Sequence, residues 1–160
     1  MRIHRDTRFS KDKAPYKTNI SGLFWEGSAK KTESPAFGFQ IDAAGMELMT
    51  GIFKFPPDML TAYRAAVIDD QLGTELEDIS GKMQRANGYE IGGEHYKRVP
   101  SGFDPNHSRA KLLKHEGLYA FSPRIPTSDL FTPTLIDICY AHFQHMTPIY
   151  QWLVKIAKIK

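Results

Sequence analysis

The segment AFGFQIDAAGMELMTGI, residues 36–52, contains two runs in which apolar or β-branched side chains occupy every second position. These side chains are Phe37, Phe39 and Ile41 in the first run, and Met46, Leu48, Thr50 and Ile52 in the second. A period of two indicates β-strands, because successive side chains of a strand lie on opposite faces of a sheet. Residues 42–45 join the runs as a short turn that contains glycine, which predicts a β-hairpin over about residues 36–54.

Two helices are predicted directly after this hairpin. The pair Pro56-Pro57 ends the second strand and suits the first turn of a helix, and apolar residues from Leu60 to Ile68 follow at helical spacing. A second helix is predicted over residues 71–86, because Asn87-Gly88 is a helix-ending signal.

A long helix is predicted at the C-terminal end of the chain. Thr132 is expected to cap it, and Pro133 suits its first turn. An apolar stripe then runs from Leu135 to Ile156. Pro148 lies inside this stripe, and we expect it to kink or restart the helix because proline removes one backbone donor.

Short strands and loops are predicted elsewhere. Residues 1–9 alternate with a period of two and predict a strand, whereas the polar residues 10–33 predict a long loop. A short strand is predicted over residues 89–91, where Gly92-Gly93 ends it, and a further strand over residues 118–121.

A short helix is predicted over about residues 106–115, with Gly117 in the C′ position after its end. Antiparallel strands combined with separate helices are typical of α+β proteins. The sequence therefore predicts a single α+β domain over residues 1–160, in which an antiparallel sheet packs against several helices.

The composition is that of an ordinary globular domain. Of the 160 residues, 41% are hydrophobic and 24% are charged, which excludes a disordered chain. The single cysteine, Cys139, excludes an intramolecular disulfide framework. No apolar run reaches the roughly 18 residues of a membrane span, and no apolar signal segment is present, so we expect a cytoplasmic protein without a membrane partner.

The positive charge is concentrated at the N-terminal end. Residues 1–17 contain six basic and two acidic residues, a net charge of +4, whereas the rest of the chain has a net charge of −1. A local basic cluster attracts anions, above all phosphates. The nearly neutral remainder of the chain gives little support for nucleic-acid binding, which favours a broad basic face.

The segment RIHRDTRFSKDKAPYK, residues 2–17, is the first candidate site. In a strand over residues 1–9, Arg5 shares a face with Ile3 and Phe9, so its guanidinium needs an acidic partner or a ligand. Arginine forks bind carboxylates and phosphates bidentately, and lysine adds a point charge. The residues expected to bind a small anionic ligand, for instance a phosphorylated one, are Arg5, Arg8, Lys13, Tyr16 and Lys17, with Asp6 as a candidate for handling protons. The alternative is an internal salt-bridge network that joins the strand to the body of the domain.

The turn PSGFDPNH, residues 100–107, is the second candidate site. Asp104 and Asn106 lie at the start of a predicted helix, where free backbone N–H groups favour bound anions. His107 follows them and is a candidate general acid or base. In the structural alternative, Asp104 caps the helix and His107 bonds a neighbouring backbone group.

The N-terminal motif, RIHRDTRF followed by SKDKAPYK, resembles the signature of domain-of-unknown-function family 2461, which is found mostly in bacteria and also in fungi. The segments PPDML at 56–60, YRAA at 63–66, PSGFD at 100–104 with His107, and LLK at 112–114 are similar to the family's pattern as well. The resemblance implies a member of a family without an assigned activity. Members usually carry a helical region before the arginine motif, and we expect this chain to lack it.

Metal and cofactor motifs are weak. The last helix contains a cysteine and two histidines at a spacing of three residues: Cys139, His142 and His145. Because a helical turn has 3.6 residues, these side chains lie at different angles around the helix and do not share one face. A metal site would need a distant partner such as His95 or His115. No phosphate-binding glycine loop or nucleophile elbow is present, so the sequence predicts neither a metal nor a cofactor.

Three functional hypotheses follow. The first is a pocket for a small anionic ligand around the arginine motif, and the second treats that motif as a structural scaffold. The third is a basic interaction surface for an acidic protein or nucleic acid, formed by the strand over residues 1–9 and the loop over residues 10–33. Exposed Phe24 or Trp25 beside Lys30 and Lys31 would support it, because aromatic rings among positive charges suit single-stranded nucleic acid. The sequence leaves open whether the protein is an enzyme and what its oligomeric state is.

Overall fold

A computed structural model describes residue 8 and residues 16–28, 30–86 and 88–158 of the chain. The strands are β1 (Ile20–Trp25), β2 (Ala36–Asp42), β3 (Gly45–Ile52), β4 (Glu90–Glu94) and β5 (His115–Phe121). The α-helices are α1 (Pro57–Ile68), α2 (Asp70–Arg85) and α3 (Leu135–Ala157), and short 3₁₀ helices cover Leu112–Lys114 and Thr127–Phe131. The strands form an antiparallel sheet in the order β1-β2-β3-β5-β4, which confirms the predicted α+β class.

The predicted hairpin is formed by β2 and β3. Its register pairs Phe37 with Thr50 and Ile41 with Met46, so the alternating side chains identified in the sequence share one face of the sheet. At the turn, the Asp42 carboxylate accepts the Ala44 N–H at 2.8 Å. Gly45 has a φ of +130°, which a side chain would strain.

The helices pack on the face of the sheet that these side chains occupy. Leu48 and Leu118 from the central strands and Trp152 from α3 are among its fully buried residues. The Phe37 ring stacks on Tyr150 of α3 with ring centroids 4.6 Å apart. The Trp152 indole N–H donates to the Leu72 carbonyl oxygen at 3.0 Å, which joins α3 to α2.

The predictions for α1 and α2 are confirmed to within a residue. The Asp69 side chain caps α2 and accepts the N–H groups of Gln71 and Leu72. In α3, the helix runs through Pro148 without restarting. Pro148 and Gln144 are both exposed, so water can bond the Gln144 carbonyl that proline leaves without a donor.

The prediction of a loop over residues 10–33 is wrong in part, because residues Ile20–Trp25 form β1 and pair with β2. The polar pair Ser21-Gly22 obscured the alternation. A Cβ on Gly22 would lie 2.6 Å from the Phe39 ring, so a side chain at this position would force that ring to move.

The prediction of a helix over residues 106–115 is also wrong. This stretch forms turns and the short 3₁₀ helix, and His115 already begins β5. Gly117 is a strand residue and not a helix cap, because a Cβ there would lie 2.1 Å from the Phe53 carbonyl oxygen.

Two further boundaries differ from the predictions. The fourth strand continues through Gly92 and Gly93, with an irregularity between Gly92 and Glu94. The last helix begins at Leu135, and Thr132 donates to the Asp129 carbonyl instead of capping α3.

The predicted strand over residues 1–9 lies outside the described residues except for Arg8, which is in a turn. Among the described helices, none has both the length and the apolar character needed to cross a membrane.

Candidate functional site

A cleft of about 500 Å³ lies between α2 and β4, with further walls from residues 108–112 and β5. We call it the α2–β4 cleft. Its lining residues Ser80, Arg109 and His115 are only 8%, 7% and 5% exposed. Each has one buried polar side-chain atom that finds no hydrogen-bond partner within the described part of the chain: Ser80 Oγ, Arg109 Nε and His115 Nδ1. Buried polar atoms are normally paired, so their concentration in one cleft identifies it as the candidate site.

Arg109 is joined to α2 by the outer nitrogens of its guanidinium group. Nη1 donates to Thr74 Oγ1 at 3.2 Å and to the Glu77 carboxylate at 3.3 Å, and Nη2 donates to the Asp69 carbonyl oxygen at 3.3 Å. These contacts fix the position of the guanidinium and partly neutralise its charge. Nε is left as a buried donor, and a buried donor without a partner costs about 1–3 kcal/mol.

His115 begins β5 and is held among aromatic and charged groups. Its ring stacks on Tyr63 with centroids 6.4 Å apart. Burial lowers the pKa of His115, and attraction to the Glu94 carboxylate and to the Gly117 backbone opposes part of this effect. The ring is therefore predominantly neutral at pH 7, which leaves one nitrogen able to accept a proton or a hydrogen bond.

The glycine pair of β4 keeps side chains out of the space beside these groups. A Cβ on Gly92 would lie 2.2 Å from the Tyr119 ring. A Cβ on Gly93 would lie 2.0 Å from the Gly117 carbonyl oxygen and 3.0 Å from His115 Nδ1. Gly93 also has a φ of +126°, so the backbone at this point requires glycine.

The charged groups of the cleft nearly balance. Glu77 pairs with Arg109, and Lys114 pairs with Glu94 at 3.6 Å. Lys111 lines the cleft as an exposed cation. A ligand here would therefore be recognised by directed hydrogen bonds from buried groups rather than by a large positive potential, and the available donors suit a ligand that presents oxygen acceptors.

Residues 1–152 match the family described as "Conserved hypothetical protein (DUF2461)". The chain belongs to this family. No curated protein and no solved structure shows significant similarity to it. The resemblance seen in the sequence motifs is thus confirmed, and the chemistry of this DUF2461 member has to be argued from its own side chains.

The predicted binding residues are only partly within the described chain of this DUF2461 protein. Arg5, Asp6 and Lys13 lie outside the described residues. Arg8, Tyr16 and Lys17 are described and exposed, and they are not among the residues that line the α2–β4 cleft. A site built from the arginine motif therefore stays a prediction.

His107 bonds a neighbouring backbone group, as the structural alternative expects, whereas Asp104 closes a turn and does not cap a helix. His107 Nδ1 accepts the Arg109 backbone N–H at 3.0 Å, and the Asp104 carboxylate accepts the Asn106 N–H at 2.9 Å. These bonds shape the loop that carries Arg109 into the cleft. A catalytic role for His107 stays a prediction.

The histidines of α3 contact an aromatic side chain. His142 Nδ1 lies 2.7 Å from the Tyr89 hydroxyl, and the His145 ring packs on the Tyr89 ring with centroids 4.3 Å apart. The Cys139 thiol lies 4.0 Å from the Met46 sulfur. Within the described ranges, no group of three or more His, Cys, Asp or Glu residues is arranged to hold a metal ion.

Sequence reasoning missed the three central residues of the cleft. Ser80 lies inside an amphipathic helix, and Arg109 lies in a polar turn, so neither has a pattern that marks it. His115 was considered only as a distant partner for a metal. The one available signal was the adjacent pair Gly92-Gly93, because consecutive glycines in a strand indicate close backbone approach.

Proposed function

We propose that this DUF2461 protein binds a small anionic ligand, such as a carboxylate or a phosphate ester, in the α2–β4 cleft. The observation that carries the proposal is that Ser80, Arg109 and His115 line the same cleft, each more than nine-tenths buried and each with a polar atom that has no partner among the described residues. Ligand oxygens would satisfy the Ser80 hydroxyl and Arg109 Nε, and His115 would donate or accept the third bond.

These groups have no hydrogen-bond partner among the described residues, so a ligand that pairs them gains affinity. A hydrogen bond to a charged group contributes about 1.5–3 kcal/mol, so each donor changes ligand affinity by about 10-fold to 100-fold. Because Glu77 already balances Arg109, we expect binding to depend only weakly on ionic strength.

The test is a titration of isotope-labelled protein with inorganic phosphate and with acetate, followed by NMR. The proposal predicts saturable shifts of the Gly92, Gly93 and Ser80 amides. Ser80→Ala and His115→Asn should each weaken binding at least 10-fold. Ser101→Ala, which changes an exposed serine outside the cleft, should leave the affinity unchanged. Circular dichroism checks that each variant is folded.

The arginine motif is a second candidate location for the same ligand, because residues 1–17 have a net charge of +4. The double variant Arg8→Ala/Lys17→Ala separates the two locations. An affinity that falls in this variant but not in Ser80→Ala would assign the ligand to the motif and overturn the cleft proposal.

One observation favours a second function, binding of single-stranded nucleic acid. Phe24 and Trp25 of β1 are 59% and 41% exposed, and Lys30 and Lys31 nearby in the chain are exposed as well. Bases stack on exposed aromatic rings while lysines contact phosphates.

Fluorescence anisotropy with a labelled oligonucleotide tests this function. The affinity for the oligonucleotide should fall steeply as the salt concentration rises. Phe24→Ala should weaken binding more than the control Phe131→Ala, which removes an exposed ring before α3. Equal effects of the two variants would contradict a site on β1.

A further inference from the structure

A second cavity, of about 490 Å³, lies at the end of β3. We call it the β3–α1 cavity, because β3, residues 53–57 and the start of α1 form much of its wall and residues 31–34 complete it. Its apolar lining side chains include Met49, which is buried, and Leu23 and Phe53, which are 37% and 53% exposed. Cavities of this volume accommodate small organic ligands.

The walls of this cavity are fixed by the sheet and the core. The Phe55 N–H donates to the Glu116 carbonyl oxygen at 2.7 Å, and the buried Phe55 ring packs on Tyr63 with centroids 4.8 Å apart. Gly51 has a φ of +122°, and a Cβ there would lie 2.2 Å from the Leu118 carbonyl oxygen. These contacts fix the backbone at the end of β3, which forms part of the cavity wall.

Cations border this apolar interior. Lys31 and Lys54 both line the cavity and are exposed. Lys54 lies 3.4 Å from Glu116, whereas Lys31 has no ion pair within the described residues. The acidic lining residue, Glu33, is engaged by Lys30 at 3.4 Å. An apolar lining bordered by exposed lysines is complementary to a ligand that has an apolar body and an anionic head.

We propose that the β3–α1 cavity binds an amphipathic carboxylate, with its hydrocarbon body against Leu23, Met49 and Phe53 and its carboxylate at Lys31 and Lys54. This inference is independent of the α2–β4 cleft, because it depends on different side chains. Apolar burial supplies most of the affinity, and the lysines discriminate the carboxylate from a neutral analogue.

The test compares octanoate with octanol as competitors of the fluorescent probe 1-anilinonaphthalene-8-sulfonate. Octanoate should displace the probe at lower concentration than octanol. Phe53→Ala should weaken octanoate binding at least 5-fold, whereas Phe131→Ala, an equally large truncation of an exposed ring outside the cavity, should leave it unchanged. Lys31→Gln should weaken octanoate about 3-fold or more without affecting octanol, and Lys82→Gln, which changes an exposed lysine of α2 outside the cavity, is its control.

Other outcomes would overturn the proposal. Equal displacement by octanoate and octanol, or equal effects of Phe53→Ala and Phe131→Ala, would indicate unspecific apolar binding. A dimer detected by analytical ultracentrifugation and abolished by Phe53→Ala would assign this face to a second copy of the chain. Ser80→Ala should not change octanoate binding, so failure of this inference is distinguishable from failure of the proposed function.

Discussion

The guanidinium group of Arg109 lies directly against Gly73 of α2, where a Cβ would come within 2.6 Å of Nε and 2.8 Å of Cζ. Glycine inside a helix costs about 1 kcal/mol relative to alanine. At this position the missing side chain lets the loop that carries Arg109 approach the helix that carries Ser80. The close contact thus fixes where the Arg109 side chain lies against α2.

Gly73→Ala is expected to destabilise the protein by about 1–3 kcal/mol, as overpacked sites commonly do. The new Cβ would lie 2.3 Å from the Val67 carbonyl oxygen, which is backbone and cannot move aside cheaply. Urea unfolding measures the effect. The control is Gly81→Ala in the same helix, where the nearest atom is the mobile end of Arg85 at 3.3 Å. Gly81→Ala should leave the free energy of unfolding unchanged or raise it by up to about 1 kcal/mol. Equal destabilisation by both variants would contradict a specific need for glycine at position 73.

Gly93→Ala should destabilise by more than Gly102→Ala. Both glycines have positive φ, but a Cβ on Gly93 would lie 2.0 Å from a backbone oxygen, whereas Gly102 has open space around it. Backbone strain alone costs about 1 kcal/mol, and the collision at Gly93 adds about 1–3 kcal/mol. Thermal and urea unfolding of the two variants give the comparison. A similar loss of stability in the two variants would show that β4 does not depend on the close backbone approach at Gly93.

Tyr63→Phe is expected to cost about 1 kcal/mol, the usual net contribution of a hydrogen bond. The Tyr63 hydroxyl donates to the Leu112 carbonyl oxygen at 3.1 Å and holds the loop after Arg109 to the core. Tyr140→Phe, which changes an exposed tyrosine, should leave the free energy of unfolding unchanged. If Tyr63→Phe also leaves the free energy of unfolding unchanged, the bond to Leu112 does not help to hold this loop to the core.

Stability should fall as the pH is lowered below about 6.5. Burial lowers the pKa of both His115 and His142 in the folded protein, and the neighbouring His145 adds to the effect at His142. The unfolded chain therefore takes up protons first, so the stabilisation present above the ordinary histidine pKa is lost as the pH falls through the lowered values.

Urea unfolding between pH 5 and pH 7.5 measures this dependence. His115→Gln and His142→Gln should each reduce the slope of stability against pH, and the double variant should reduce it further. A slope unchanged in the double variant would show that other groups control acid stability.

Much of the fold was predictable because it depends on local patterns. The alternation from Phe37 to Ile52 identified the hairpin, and helical spacing after Pro57 identified α1. The prediction failed where a tertiary contact overrode the local signal. Gly117 resembles a helix-ending glycine, yet it is required in β5 by the backbone of Phe53, which is 64 positions earlier in the chain.

The candidate site was not predictable for a related reason. The arginine motif is conspicuous because its charges are adjacent in sequence, whereas the groups of the α2–β4 cleft are brought together by three separate elements. Ser80, Arg109 and His115 acquire their significance only through burial and unpaired polar atoms, and neither property can be inferred from residue spacing.

The most direct test of ligand binding in the cleft is a crystal structure of the protein grown with inorganic phosphate. The account predicts an anion within hydrogen-bond distance of Arg109 Nε, Ser80 Oγ and a ring nitrogen of His115. Phosphate bound elsewhere, with only water in the α2–β4 cleft, would contradict it.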